Sequence, residues 1–144
     1  MANSQSSPSE TRLVIVSNHL PVVLEKEKDG HWNAVPGSGG LVTTLAPVLR
    51  DRGGLWIGWP GTVEVSGQDV ERVLAGATRH SGFTLKPVIL TLEERQEYYC
   101  GFANEIIWPL FHDLVSRCNF DPSYWSTYQK VNGKFARVIK KHLA

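Results

Sequence analysis

Pro36-Gly37-Ser38-Gly39-Gly40-Leu41-Val42-Thr43-Thr44-Leu45 is a glycine-rich turn that runs directly into an apolar segment of helical spacing. Without Cβ atoms, the backbone at Gly37, Gly39 and Gly40 is free to take positive φ and to come close to a ligand. The first N–H groups of the helix that follows have no intrahelical partner and point outward. Such a turn suits an anion, a phosphate above all. The same glycines also describe a plain tight loop, so the surrounding sequence has to decide.

Upstream, Leu13-Val14-Ile15-Val16 is a short, continuous β-branched run, which reads as a central strand buried on both faces of a parallel sheet. It ends at Ser17-Asn18-His19-Leu20-Pro21, where polar side chains emerge from the carboxyl end of the strand. Open α/β sheets bind ligands at that edge, which singles out His19 against the alternative of a loop histidine with no role. Val22-Val23-Leu24 and His31-Trp32-Asn33-Ala34-Val35 flank a charged tip and predict a β-hairpin that delivers the chain to the glycine turn.

Downstream, apolar residues at 41, 42, 45, 48 and 49 mark one face of a helix ending before Arg50. Pro47 either kinks that helix or begins a new turn. Leu55-Trp56-Ile57-Gly58-Trp59 is a second strand, so the segment forms the right-handed crossover of a parallel sheet. Trp56 reads as core, whereas Trp59, against Pro60-Gly61, is a candidate wall of a pocket above the glycine turn. A short amphipathic helix is predicted within residues 67–77 and a third strand over residues 83–90. Thr91-Leu92-Glu93-Glu94 fits a capping box, opening a helix that carries Tyr98 and Tyr99. The aromatic-rich stretch from Gly101 to His112 is expected to break at Gly101 and Pro109 and to enclose something. Asp121-Pro122 starts a last helix, with Tyr124, Tyr128, Val131, Phe135 and Val138 or Ile139 in one stripe. Its terminal Lys140-Lys141-His142 run complements the helix dipole and needs no ligand.

At 144 residues the chain is about one domain, long enough to bury a core without disulfides or a metal. A net charge of +1 offers no broad basic surface for nucleic acid, so small molecules are the expected partners. Cys100 and Cys118 form no metal-ligand pattern, and no leader-like or long apolar run is seen, so the chain is expected to be cytoplasmic. Residues 1–12, rich in Ser and poor in apolar side chains, are expected to form a disordered arm. Strands alternating with helices over residues 13–144 predict an α/β, Rossmann-like parallel sheet with flanking helices.

Val16 to Val22, Ser38-Gly39-Gly40-Leu41, Trp56 to Gly61, Tyr98-Tyr99 with Gly101-Phe102-Ala103-Asn104, Trp108 to His112, and Trp125 to Ala136 together resemble the trehalose-6-phosphate synthases in order and spacing. The resemblance runs from about Arg12 to the last residue. It implies part of the N-terminal, acceptor-side domain of a retaining GT-B glycosyltransferase, two Rossmann-like domains facing across a cleft. The implied reaction moves glucose from UDP-glucose to glucose 6-phosphate, without a metal or other cofactor. Gly39 and Gly40 would then contact the UDP-glucose donor near its diphosphate, and Tyr99 and Trp108 the glucose 6-phosphate acceptor. No nucleic acid or membrane is implied; self-association into a homo-oligomer is left open.

Two departures from the family pattern matter. The residue after Ser-Asn is an arginine gripping the acceptor phosphate in the family; here it is His19, with one or two donors in place of a five-donor fork. The family's Asp-Tyr-His-Leu segment and the C-terminal donor domain would lie beyond Ala144, so the chain alone is not expected to turn over. A second reading is a non-catalytic module of the same family that binds sugar phosphate. A third, a dinucleotide-binding oxidoreductase, lacks the third glycine at the required place and has a hairpin between the first strand and the glycine turn.

Overall fold

A computed structural model describes residues 12–143; most of the arm expected over residues 1–12 lies outside them. Strands β1 (Val14–His19), β4 (Leu55–Trp59) and β5 (Thr84–Pro87) form a parallel sheet in the order β1-β4-β5, and β2 (Val22–Lys26) and β3 (Trp32–Pro36) form the expected antiparallel hairpin. Helices α1 (Gly40–Arg52), α2 (Gly67–Ser81) and α5 (Pro122–Leu143) flank the sheet. Between β5 and α5 the chain runs without a break through α3 (Leu92–Glu94), a π-helix (Arg95–Ile107) and α4 (Trp108–Phe111). The architecture is the α/β parallel sheet with flanking helices that the alternation of elements predicts.

The central strand is β4, not β1. All five β4 residues are buried, whereas β1 pairs only with β4 among the described residues and leaves Val16 exposed. A continuous β-branched run reports the capacity to be buried; which strand has neighbours on both sides is a matter of topology. Along β4 the pleat sends Trp56 to a core with Leu20, Leu24, Leu49, Val70 and Leu74, on the side of the hairpin and α2. Leu55, Ile57 and Trp59 point the other way, to a core with Val88, Leu90, Val131 and Phe135 on the side of α5. Each such side chain contributes about 1.5–3 kcal/mol of burial, which makes β4 the spine of both layers.

Other expectations shift in detail. α1 continues through Pro47 to Arg52, past the end predicted before Arg50, and the third strand is shorter than residues 83–90. The capping box is present: Thr91 Oγ1 accepts from Glu94 N–H and Glu94 Oε2 accepts from Thr91 N–H. The chain does not break at Gly101, which lies inside the π-helix against the Tyr124 ring; a Cβ there would stand 2.7 Å from that ring. Pro109 does not break it either: α4 follows directly on the π-helix with Pro109 as its second residue.

Gly58 and Gly40 separate two reasons for a glycine. A Cβ on Gly58 would lie 2.7 Å from the backbone carbonyl carbon of His19 and the amide of Leu20, whereas one on Gly40 meets nothing within 4 Å. Gly58→Ala is therefore expected to lower unfolding free energy by about 1–3 kcal/mol, because the clash is with main chain that has nowhere to go. Gly40→Ala is expected to be neutral or slightly stabilising. Urea denaturation of the two variants beside the parent chain checks both.

Candidate functional site

The carboxyl ends of β1 and β4 place the predicted residues. His19 is the last residue of β1 and pairs in register with Trp59, the last residue of β4. The pairing is regular over Val14–Val16, is interrupted, and resumes at His19. Ser17 shapes this irregular stretch: its Oγ accepts from Trp56 Nε1–H at 2.8 Å and donates to the His19 carbonyl at 2.6 Å. Leu20 N–H then donates to the Trp59 carbonyl at 2.8 Å. The buried Trp56 indole thus finds its obligatory partner in the segment that aims His19.

The imidazole of His19 lies between two aromatic rings, its centroid 4.9 Å from Trp59 and 5.0 Å edge-on from Tyr99. Trp59 is only 3% exposed and donates its Nε1–H to the Thr62 carbonyl, so it serves as a platform beneath the imidazole more than as an open wall. On that same indole rests Arg95, its guanidinium carbon 5.9 Å from the ring centroid. Burial first, and the positive charge of Arg95 second, hold the His19 pKa below its ordinary value. Arg95 is the functional candidate that sequence reasoning missed, as a lone arginine in a charged Glu93-Glu94-Arg95 run carries no signal of its own.

Trp108 is half-exposed and stacks on His112, centroids 4.1 Å apart, and His112 Nδ1 pairs with the Trp108 carbonyl at 2.7 Å. No ring contact joins it to His19 or Tyr99 among the described residues. At roughly 4.4 residues per π turn, residues 95, 99 and 108 fall within a narrow sector. At the 3.6 residues of an α turn, residue 108 would stand opposite residue 99.

The glycine turn opens beside this edge. Gly37 N–H donates to the Pro21 carbonyl at 2.8 Å, tying the turn to the residues just after His19. Of the three glycines named for positive φ only Gly39 has it, at 127°, as the residue preceding α1; Gly37 and Gly40 do not. Gly37 is there for close approach instead, as its Cβ would stand 3.1 Å from the Pro21 carbonyl. Gly39 and Gly40 are exposed and the chain's own atoms leave the space above them empty. The first turn of α1 carries no acidic side chain to occupy its free N–H groups.

The arrangement is an open, edge-on site. A cavity of about 510 Å³ lined by residues such as Trp32, Val42, Arg50, Val73 and Phe83 lies elsewhere, between the hairpin, α1 and α2, and includes neither His19 nor Tyr99. Among the described residues no group of three His, Cys, Asp or Glu is placed to hold a metal ion, and no helix is long and apolar enough to cross a membrane.

Comparison with known proteins points to one family. Residues 11–144 fit the model of Glycosyltransferase family 20. The chain is 39% identical over 137 residues to a trehalose-6-phosphate synthase of Mycobacterium tuberculosis (strain H37Rv), covering 94% of this chain and 27% of that protein. Against a trehalose-6-phosphate synthase of Mycolicibacterium smegmatis it is 41% identical over 133 residues, covering 91% and 24%. Among solved structures, an E. coli protein bound with UDP-2-fluoro glucose superposes with a TM-score of 0.60 at 26% identity, covering 91% of this chain and 25% of that one. A UDP-forming α,α-trehalose-phosphate synthase from Burkholderia xenovorans in complex with glucose-6-phosphate gives a TM-score of 0.62 at 26% identity, with 90% and 25% covered. The chain therefore spans about a quarter of the length of its curated relatives. The match of the family model over residues 11–144, on a chain that folds as a parallel α/β sheet, shows that this chain belongs to glycosyltransferase family 20.

Proposed function

We propose that the chain is the N-terminal, acceptor-side part of a cytoplasmic UDP-forming trehalose-6-phosphate synthase, a retaining GT-B enzyme. In the whole protein, glucose passes from UDP-glucose to glucose 6-phosphate to give trehalose 6-phosphate and UDP. The observation that carries this reading is the packing of His19 between Trp59 and Tyr99 beside an empty glycine turn. The relatives' names and the ligands of the two solved structures support it.

In this reading the roles divide by charge. The glucosyl group passes through an oxocarbenium-like transition state as its C1–O bond to UDP breaks and the diphosphate takes the electron pair, and fixed dipoles aimed at that charge lower the barrier. The free N–H groups at Gly39 and Gly40 serve the diphosphate. His19, Tyr99 and Trp108 hold the acceptor, setting its hydroxyl on the face the leaving group vacates. The rest of the donor site belongs to a C-terminal domain outside this chain. Leu110, Phe111, Val115, Phe120 and Trp125 are large apolar side chains left exposed in this chain, which agrees with further protein packing in the whole molecule. A non-catalytic sugar-phosphate-binding module of the family is the second reading, favoured by His19 in place of the family's arginine.

Mixed with UDP-glucose and glucose 6-phosphate, the 144-residue chain is expected to release no UDP above background. Robust turnover by the chain alone would overturn the part-enzyme reading. In a version that carries the C-terminal domain, Gly40→Val is expected to abolish donor use with the fold intact, since a branched side chain would fill the space assigned to the diphosphate. An unchanged KM for UDP-glucose would make the turn structural only.

His19 provides a pH test. Its folded pKa lies below the unfolded value of about 6.5. The neutral imidazole therefore contributes stability that is fully present above pH 6.5 and is lost as pH falls through 6.5 toward the folded pKa. An NMR titration should place the His19 midpoint below that of an exposed histidine, and His19→Gln should reduce the loss of stability on acidification. A midpoint at or above 6.5 in the unliganded chain would contradict the placement.

A further inference from the structure

We infer that Arg95 supplies the fixed positive charge of this edge site and grips the phosphomonoester of the acceptor, with His19 beside it as a hydrogen-bonding partner. The inference rests on the sugar-phosphate reading above and deepens it, naming the residue that takes over the charge that an arginine at position 19 would carry.

Three observations lead there. First, Arg95 is placed: its guanidinium lies over Trp59, the ring on which His19 also rests, and it is close enough to His19 to depress imidazole protonation. Second, Arg95 is half-buried, yet among the described residues it has no carboxylate partner. Of the acids beside it in the chain, Glu93 makes no ion pair with it among the described residues, and two others are engaged elsewhere. Glu94 is bound by Lys134 at 2.5 Å and Lys130 at 3.3 Å, and Glu97 accepts from the Thr127 hydroxyl. A partly desolvated guanidinium without an anion is unfavourable, and an incoming anion would relieve it. Third, the chemistry of the neighbours is one-sided. The guanidinium lies over Trp59 and close to His19, whose imidazole is edge-on to Tyr99; of these three, His19 and Tyr99 offer polar hydrogens and none carries negative charge.

A guanidinium meets a phosphate through two parallel N–H donors, and it remains charged at every pH at which the protein is folded. An imidazole held neutral adds one directional hydrogen bond. Glucose lacks the anion and would gain only the aromatic and hydroxyl contacts. The pair thus discriminates a sugar phosphate from the free sugar.

The test uses the intact chain, titrated with glucose 6-phosphate, glucose and inorganic phosphate while the Arg95 side-chain N–H and His19 imidazole signals are followed by NMR. Both phosphates are expected to shift the two signals. Arg95→Gln should weaken both by about ten- to a hundredfold, the usual range for a charge-assisted hydrogen bond, with glucose unaffected. Arg95→Lys, which keeps the charge and a helix-compatible stem but loses the fork, should fold and weaken both several-fold. If Arg95→Gln does not fold, unchanged phosphate affinity in Arg95→Lys overturns the assignment. Glucose 6-phosphate binding that survives Arg95→Gln overturns it too and leaves the acceptor reading standing. Glucose 6-phosphate binding no tighter than inorganic phosphate, with both weakened by Arg95→Gln, keeps Arg95 as the anion site and removes the acceptor reading. Failure of either phosphate to move the Arg95 signal overturns the inference outright.

Discussion

The close approach of β1 to β4 at Gly58 is the constraint on which the candidate site depends. The two strands pair in register through Val16 and Ile57, and main chain then crosses main chain with no room for a Cβ at position 58. The resumed pairing of His19 with Trp59, the Leu20 bond to the Trp59 carbonyl and the Ser17 bridge to Trp56 all require that distance. Burying Trp56 and aiming His19 are therefore coupled: the hydroxyl that satisfies the indole N–H also holds the carbonyl of His19. Core stability and site geometry draw on one set of contacts.

Two adjacent residues show how the fold sorts its charges. Glu94 is 1% exposed; burial pushes its carboxyl up, but hydrogen bonds from Lys134, the Thr91 backbone and Lys130 outweigh this and keep it ionised. Those bonds tie the start of the long helix to α5 across the second core. Arg95, one position on, turns toward Trp59 and away from that network. With the neighbouring acid fully engaged by lysines, the arginine is left free to face the edge of the sheet.

Local chemistry was the most legible part of the sequence. The hairpin follows from two apolar runs around a charged tip, the capping box from Thr91 and Glu94, and α5 from the Asp121-Pro122 start and its apolar stripe. In each case the deciding groups lie within a few residues of one another. His19 at a strand's carboxyl end was legible for the same reason, as was the glycine turn leading into α1. The central position of β4 was not, because Leu13 to Val16 and Leu55 to Trp59 are equally apolar. Strand order is settled by the helices and strands that compete for each face.

By itself the sequence determined the alternation of strands and helices, the turn at Gly39 and Gly40, and the family pattern from Arg12 onward. Only the tertiary structure decided what Tyr99, Trp108 and Arg95 share. Counted at an α-helical period, residue 108 falls opposite residue 99, and nothing in the residues from 95 to 107 announces another period. The helix takes the wider π winding, with Gly101 packed against Tyr124 and α5 docked along it, and at that period positions 95, 99 and 108 come round to nearby angles. A helix's period is chosen by what packs against its outside, and that information lies in α5, more than twenty residues further along the chain from Arg95.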